Sequence, residues 1–503
     1  MYRDLPPAGA GKILELFQRC DIIHGMSKLF IYVRRLAGLC LLVATSAVAA
    51  PELDWGPLLA RDTALDGEIR WRALGPLFEY RAGTNGCHLM AFRPLYSREH
   101  DFAERKLVQD VLWPVWFGKT WDDSANQWRF LVAVSWRDDD VNDPRARYSF
   151  QVVPFYFQGR NDAGQPYWAL FPLGGTIRDF LFYDEVSFWL FPLFGRTHVG
   201  DLPGWFCLWP VIVRNHNAKV DRFRVFPFYG YSRRGDDFEK YFVLWPIWNY
   251  ARYGYTGASG TGYILFPFFG HVALEDQTSW MFLPPFFRFS RGAKLNQTYA
   301  PWPFIQVSHG MAEQAYFWPL WGRKTSPGYA REFLVWPVCM RTRQFSQYND
   351  RERRWVLPFV YFTDEDQKMP APGIKCRGRK IWPLFTWQEE DSHSLLRAPT
   401  LFPFRDRAHI DRNYAPFWTL YQREATPEAM EQEALWGVFR YRRDADGRRR
   451  CGLFPLARYD VHPSENALEW SLLWGAVGYR SAAGRRELRL LYFFKLPLAA
   501  AAQ

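Results

Sequence analysis

Residues 241–250 read YFVLWPIWNY, an apolar block with Pro246 at its centre, preceded by the polar stretch SRRGDD at 232–237 and followed by the loop GYTGASGTG at 254–262. Working outward in both directions, the same unit returns. GPLFEY, RPLYS, LWPVWFG, VVPFYFQG, LFPLGG, LFPLFGR, LWPVIVR and VFPFYGY come before it, with prolines at 76, 94, 114, 154, 172, 192, 210 and 227. LFPFFGH, LPPFFRF, PWPFIQV, FWPLWGR, VWPVCMR, VLPFVYF, IWPLFTW, LFPFRDR, APFWTLY, LWGVFRY, LFPLARY and LLWGAVGY come after it. Steps of mostly 16 to 21 residues, with FLVAVSW filling one gap near 135 without its proline, give about 22 units. Repetition on that period is the signature of a repeat architecture.

Each block is too short for a typical helix and is dominated by aromatic and β-branched residues, which pack well on a pleated surface. Gly, Asn, Asp and Pro bound the blocks, so they read as strands joined by short turns. Strands joined by short turns run antiparallel, because a parallel return needs a crossover of about a dozen residues or more. The fold class expected is therefore all-β, an antiparallel meander of about 22 repeated strands with a proline inside almost every strand. Open twisted sheets rarely exceed about 10 strands, so such a meander is expected to close as a large barrel or to break into stacked or propeller-like soluble β-repeats. With 19% Phe, Tyr and Trp spread from about residue 68 to the end, one repetitive domain fits the chain better than a string of unrelated modules.

From Met26 the sequence has a basic stretch (Lys28, Arg34, Arg35), an apolar stretch from Leu36 to Ala44 and the small residues Ala47, Val48 and Ala49. This is the layout of a secretory signal peptide cut after Ala49, and the apolar stretch is shorter than the roughly 20 residues that span a bilayer. The expected organisation is residues 1–25 as a non-native extension, 26–49 as the signal peptide, 50–67 as an N-terminal segment, 68–494 as the β-repeat domain and 495–503 as a tail. The AGAGK near position 10 lacks phosphate-loop spacing. Export leaves Cys87, Cys207, Cys339, Cys376 and Cys451, an odd number without a C-x-x-C pair, so no disulfide framework or zinc site is expected. Cys207 and Cys339 lie in apolar runs and read as small core residues.

A step of about 19 residues suits barrel strands of about 9–11 residues with their turns. Arg222-Phe223-Arg224-Val225, with Tyr229 and Tyr231, alternates as a lipid face and a wetter one. Leu488, Leu490, Tyr492 and Phe494 also alternate, and this segment resembles the final-strand signal of bacterial outer-membrane barrels, although KLPLAAAAQ follows where that signal normally stops. Two features oppose a barrel. A proline in mid-strand leaves carbonyls unpaired in hydrocarbon. Read as one strand, YFVLWPIWNY is apolar on both faces, with Tyr241, Val243, Trp245 and Ile247 against Phe242, Leu244 and Trp248.

Chemistry-bearing motifs are few. Asp138, Asp140 and Asn142 have the opening spacing of a calcium loop, but Asp143 replaces its glycine and Ser149 its bidentate glutamate, so a solvated turn is expected. Gly254, Gly257, Gly260 and Gly262 precede YILFPFF, not a helix, and read as a hairpin loop. Ten histidines stand singly, and the acidic runs Asp364-Glu365-Asp366 and Glu389-Glu390-Asp391 fall at block ends. No catalytic, cofactor-binding or metal-binding residue is assigned, no cofactor is expected, and the chain reads as a non-enzyme. The net charge of +11 comes from arginines read as turn residues. Aromatics beside arginines also fit stacked bases, but burial in the blocks explains the aromatics and export removes nucleic acid as a partner. The expected function is an exported outer-membrane β-barrel acting as channel, transport or structural component; the alternative is a soluble periplasmic or surface β-repeat scaffold. Partners would be outer-membrane lipid for the barrel, or an envelope protein or polysaccharide.

Overall fold

The computed structural model describes residues 53–498, apart from 85, 123, 370–372, 483–484 and 492–493. The stretches 1–25 and 26–49 lie outside the described residues. The described chain forms one antiparallel meander of 46 strands with almost no helix. The strand count is about twice the expected one, and the reason is the position of the proline. Strand Phe238–Val243 ends before Pro246 and strand Trp248–Tyr253 begins after it, so the middle of the apolar block is a chain reversal. The Ile247 N–H donates to the Leu244 carbonyl at 2.7 Å, closing a four-residue turn around a cis Trp245–Pro246 bond. A cis proline at the third position is the type VI turn, where the missing N–H costs no ladder bond. Except for LFPFRDR and APFWTLY, the units read as single strands are thus hairpins.

The reversal corrects two further readings. Val243 pairs with Trp248 across the turn, so the two share a face of the sheet instead of lying opposite each other. At the C-terminal end, Arg485–Leu490 and Phe494–Leu498 are separate antiparallel partners, with Leu491 at φ 50° between them, so no single final strand is present. LFPFRDR and APFWTLY are not strands either. They lie in a connection between strands His393–Ala398 and Tyr421–Ala425 that carries helix α1 (Ala408–Asn413) and helix α2 (Ala415–Trp418).

The sheet is not closed, so the expected barrel closure does not hold. Instead the meander doubles back on itself. Gly56 lies against Phe454, Gly75 against Trp436, the Arg93 Nε donates to the Arg412 carbonyl at 2.6 Å, and the Trp113 ring stacks on His409 with centroids 5.6 Å apart. As numbers rise along the first arm they fall along the second, so the two arms pack face to face in opposite order. The intervening strands make the bend.

One face is packed by a recurrent pair. Gly195 stands opposite Phe206, Gly230 opposite Phe242, and Gly322 opposite Phe333, and in each case a Cβ on the glycine would overlap the ring. Phe157, Tyr167, Ala169, Ile177, Phe188 and Phe206 form a buried cluster on this pattern. An aromatic ring laid over a cross-strand glycine fills the gap a missing side chain leaves. Gly195→Ala is expected to lose about 1–3 kcal/mol by overpacking the Phe206 ring. A urea midpoint unchanged from the parent protein would refute this packing.

Candidate membrane edge and arm seam

Because every second reversal falls in an apolar block, most of them with a proline, the two long edges of the ribbon differ. One edge collects the apolar turns, and the other collects polar ones such as Asn161–Gln165 and Arg234–Asp237. Neighbouring proline turns are hydrogen-bonded to one another. The Phe191 N–H donates to the Pro172 carbonyl at 2.7 Å, Trp209 to Pro192 at 2.8 Å, and Trp245 to Pro227 at 2.7 Å. The apolar edge is therefore a continuous ladder of turns.

Its residues are not buried. Leu190, Leu208, Leu244 and Leu283, each two positions before a proline, are 57%, 48%, 48% and 50% exposed. Their φ angles are 46°, 51°, 49° and 45°, in the left-handed region that glycine or asparagine adopts most readily. Trp209, Trp245, Phe228 and Phe268 beside them are exposed as well, so the expectation that burial accounts for the block aromatics fails at this edge. Exposed apolar residues also occur at the polar edge, most prominently Leu181–Phe182, with Val141 and Met311 in other turns there.

The outward face continues the grading. Across neighbouring strands, Trp189, Phe194, Cys207, Ile212, Val225 and Tyr229 form one row next to the apolar edge. Two residues further from that edge, Phe223, Tyr231, Tyr241, Tyr250 and Tyr263 form a second row. Nearer the polar edge the row is charged, Asp221, Arg233, Glu239 and Arg252, with Arg233 and Glu239 paired at 3.0 Å. Apolar, aromatic and charged layers thus follow one another along strands Val220–Val225, Tyr229–Arg234, Phe238–Val243 and Trp248–Tyr253, whereas Arg196 and Arg214 take the second-row places on earlier strands. Cys207 and Cys339 sit half-buried on the first of these rows, and the five cysteines of the described chain are free thiols.

The seam between the arms has the opposite chemistry. Arg70 pairs with Glu431 and with Asp62 (3.0 Å), Arg72 with Glu433 and with Asp62 (3.0 Å), and Arg440 reaches Asp54 at 3.3 Å. Asp110, fully buried, accepts from Arg412 (2.5 Å), Asn413 (2.7 Å) and His409 (2.9 Å), fixing helix α1 on the first arm. Burial alone would raise the Asp62, Glu79 and Glu433 carboxyls. Arg70 and Arg72 beside Asp62 and Arg81 and Arg93 beside Glu79 outweigh it and hold those two well below the usual carboxylate range, and Arg72 and Arg440 beside Glu433 lower that carboxyl too. Arginines read as turn residues are here strand residues with buried partners. Neither Asp110 nor Arg412 stood out in the sequence, because a lone Asp in KLVQDV and an Arg in RAHIDRN carry no motif.

The residues singled out for chemistry are not brought together. Asp138 and Asp140 accept from the Asp140 and Asn142 N–H groups at 3.2 and 3.0 Å in a polar-edge turn. Gly254, Gly257, Gly260 and Gly262 fall in and beside the loop before strand Gly260–Leu265. Among the described residues there is no cluster of three or more His, Cys, Asp or Glu side chains placed to hold a metal, and no helix long and apolar enough to cross a membrane. No protein-family model matches the chain, and no curated protein matches it.

Carboxylates held below their unfolded values stabilise the native state above about pH 4, and that contribution disappears as pH falls through the native values. The seam is therefore expected to loosen below about pH 4, read as faster hydrogen exchange in strands Ile69–Ala73 and Met430–Ala434 before the rest of the sheet. Glu431→Ala, which leaves the buried Arg70 with Asp62 as its remaining carboxylate partner, is expected to cost about 1–3 kcal/mol and to open the same segments at neutral pH. Uniform exchange across the sheet in both experiments would contradict this role.

Proposed function

We propose that the chain is a non-catalytic scaffold of the cell envelope that lies at a membrane surface with its proline edge inserted in one leaflet. The observation that carries this reading is the set of half-exposed leucines held at positive φ. A turn alone is served better by glycine or asparagine at such a position, so leucine there is disfavoured twice, by backbone strain and by water. Lipid contact removes the second of these costs.

Dimensions support insertion over spanning. A six-residue strand such as Phe238–Val243 is about 20 Å long, short of a hydrocarbon core of about 30 Å. The apolar turn and the first row occupy about 10 Å, since same-face rows are about 7 Å apart. That matches the depth of about 5–10 Å to which interfacial elements enter the headgroup and acyl boundary. The Tyr-rich row then falls where aromatic belts sit, and the charged row faces water. The signal-like stretch at 26–49 fits delivery to the envelope.

Replacing Leu190, Leu208 and Leu244 together by glycine separates this role from a purely architectural one. Glycine relieves the turns, so the fold is retained. Each half-exposed leucine contributes about 1 kcal/mol of burial, and vesicle affinity is expected to drop about 100-fold in flotation, while Phe182→Asp at the other edge leaves it unchanged. Equal flotation of the triple variant and the parent protein, or no flotation of either, would sink the proposal.

A further inference from the structure

At its far end the seam brings Gly56 against Phe454 and Asp54 against Arg440, and the second arm runs on past these contacts. Five strands, Ala457–His462, Ala467–Leu472, Val477–Ala482, Arg485–Leu490 and Phe494–Leu498, carry the seam face beyond the described first arm. Gly452, whose Cβ would stand 3.9 Å from an Asp54 carboxylate oxygen, marks which face that is. Across the strands from Gly452 the row continues as Arg458, Ser471, Gly478, Arg489 and Lys495. It lies one residue in from the pairs that close the apolar reversals, Leu453 with Ala457, Leu472 with Val477 and Leu490 with Phe494.

In the bend the same row is mostly glycine and apolar, as at Gly195, Phe206, Gly230 and Phe242, with Arg224 and Arg288 far apart. In the seam its charges are answered, Arg72 by Glu433. In the overhang every charged member is a cation, and among the described residues Arg458, Arg489 and Lys495 have no carboxylate within ion-pair distance. The carboxylates of this face, Asp460, Glu469 and Glu487, stand two residues further from the apolar edge. Asp460 is already taken by Arg448 at 2.6 Å, and Glu469 lies 3.9 Å from Arg480. Arg489 and Lys495 are directly opposite each other, and like charges so placed destabilise a strand pair. Ser471 and Gly478 leave the row low between Arg458 and Arg489, and a Cβ on Gly478 would meet its nearest neighbour at 3.5 Å, an ordinary contact, so packing does not call for the glycine. The fold gains nothing from this arrangement, whereas anions laid along the row would remove its repulsion.

We infer that the cationic row of the overhang binds the phosphates of anionic phospholipids. The inference rests on the reading that the proline edge enters a leaflet: with the closing pairs at the acyl boundary, a row about 3.4 Å further out reaches headgroup depth, where basic side chains are drawn to anionic lipid. A second copy fits the face less well. Two overhangs related by a twofold that keeps both apolar edges in one leaflet would set the cationic row against itself, and like-charge juxtaposition opposes association.

The test follows flotation of the whole protein with vesicles of phosphatidylcholine alone and of phosphatidylcholine mixed equally with phosphatidylglycerol. The neutral vesicles are expected to bind through the apolar edge, and the anionic ones about 100-fold more tightly, a gain that molar salt removes. Arg458→Gln, Arg489→Gln and Lys495→Gln together are expected to abolish most of the gain while leaving affinity for the neutral vesicles unchanged, which also reports a retained fold. Arg145→Gln, Lys219→Gln and Lys294→Gln, an equal loss of charge from polar-edge turns, are expected to keep it. Equal affinity of the parent protein for both vesicles, a gain that persists in the first variant, an equal loss in the second, or lipid-free dimerisation that the first variant abolishes would each overturn the inference, and with neutral-vesicle binding intact would leave the edge reading standing. Flotation with neither vesicle overturns both.

Discussion

The structure depends on chain reversal at the apolar proline blocks. Turning on Leu-Trp-Pro-Ile at 244–247, where a strand was expected to continue, halves the strand length, doubles their number and places hydrophobic residues at a sheet edge. Polar reversals such as Arg234–Asp237 fall at the opposite edge by necessity, because strands alternate in direction. The amphipathic ribbon is therefore a consequence of turn chemistry repeated on a period of about 19 residues, and the turn-to-turn hydrogen bonds make its apolar edge continuous. Phe206 over Gly195 and its counterparts stiffen the face behind that edge.

A ribbon of this length exposes two faces, and here it covers part of one by doubling back. The contact that achieves this is mostly ionic. Buried ion pairs recover their desolvation cost only with close geometry and several partners, which restricts the arms to one register. Arg70 and Arg72 meet Glu431 and Glu433 at a constant offset of two residues on each strand, and Asp110 gathers donors from Arg412, Asn413 and His409. An apolar seam would tolerate sliding; this one does not.

Much of the fold was legible in the sequence. Composition, block length and turn residues pointed to an all-β antiparallel meander built on a repeat, and that is the architecture observed. Prolines in a strand pattern were the warning that the blocks were not strands throughout, since a central strand excludes them. The resolution lay in recognising L-x-P as a reversal, and the recurrent Leu two residues before Pro was visible at 190, 208, 244 and 283. What no local pattern could reveal was the return of the second arm, because Arg70 and Glu431 are 361 residues apart and their pairing is set by the bend of the whole sheet. The helical connection was missed for a related reason. LFPFRDR and APFWTLY share the repeat's composition, yet Asp110 and Trp113 on the other arm hold that segment in place.

Whether the proline edge meets lipid is measured most directly by the tryptophans it carries, Trp209, Trp245, Trp302 and Trp336 among them. With vesicles whose acyl chains are brominated at defined depths, strong quenching of tryptophan fluorescence by bromine just below the headgroups, and weak quenching at the bilayer centre, is the result this account predicts. Emission unaffected by brominated lipid at any depth would contradict it, and equally strong quenching at the bilayer centre would show a ribbon that crosses the membrane instead of resting in one leaflet.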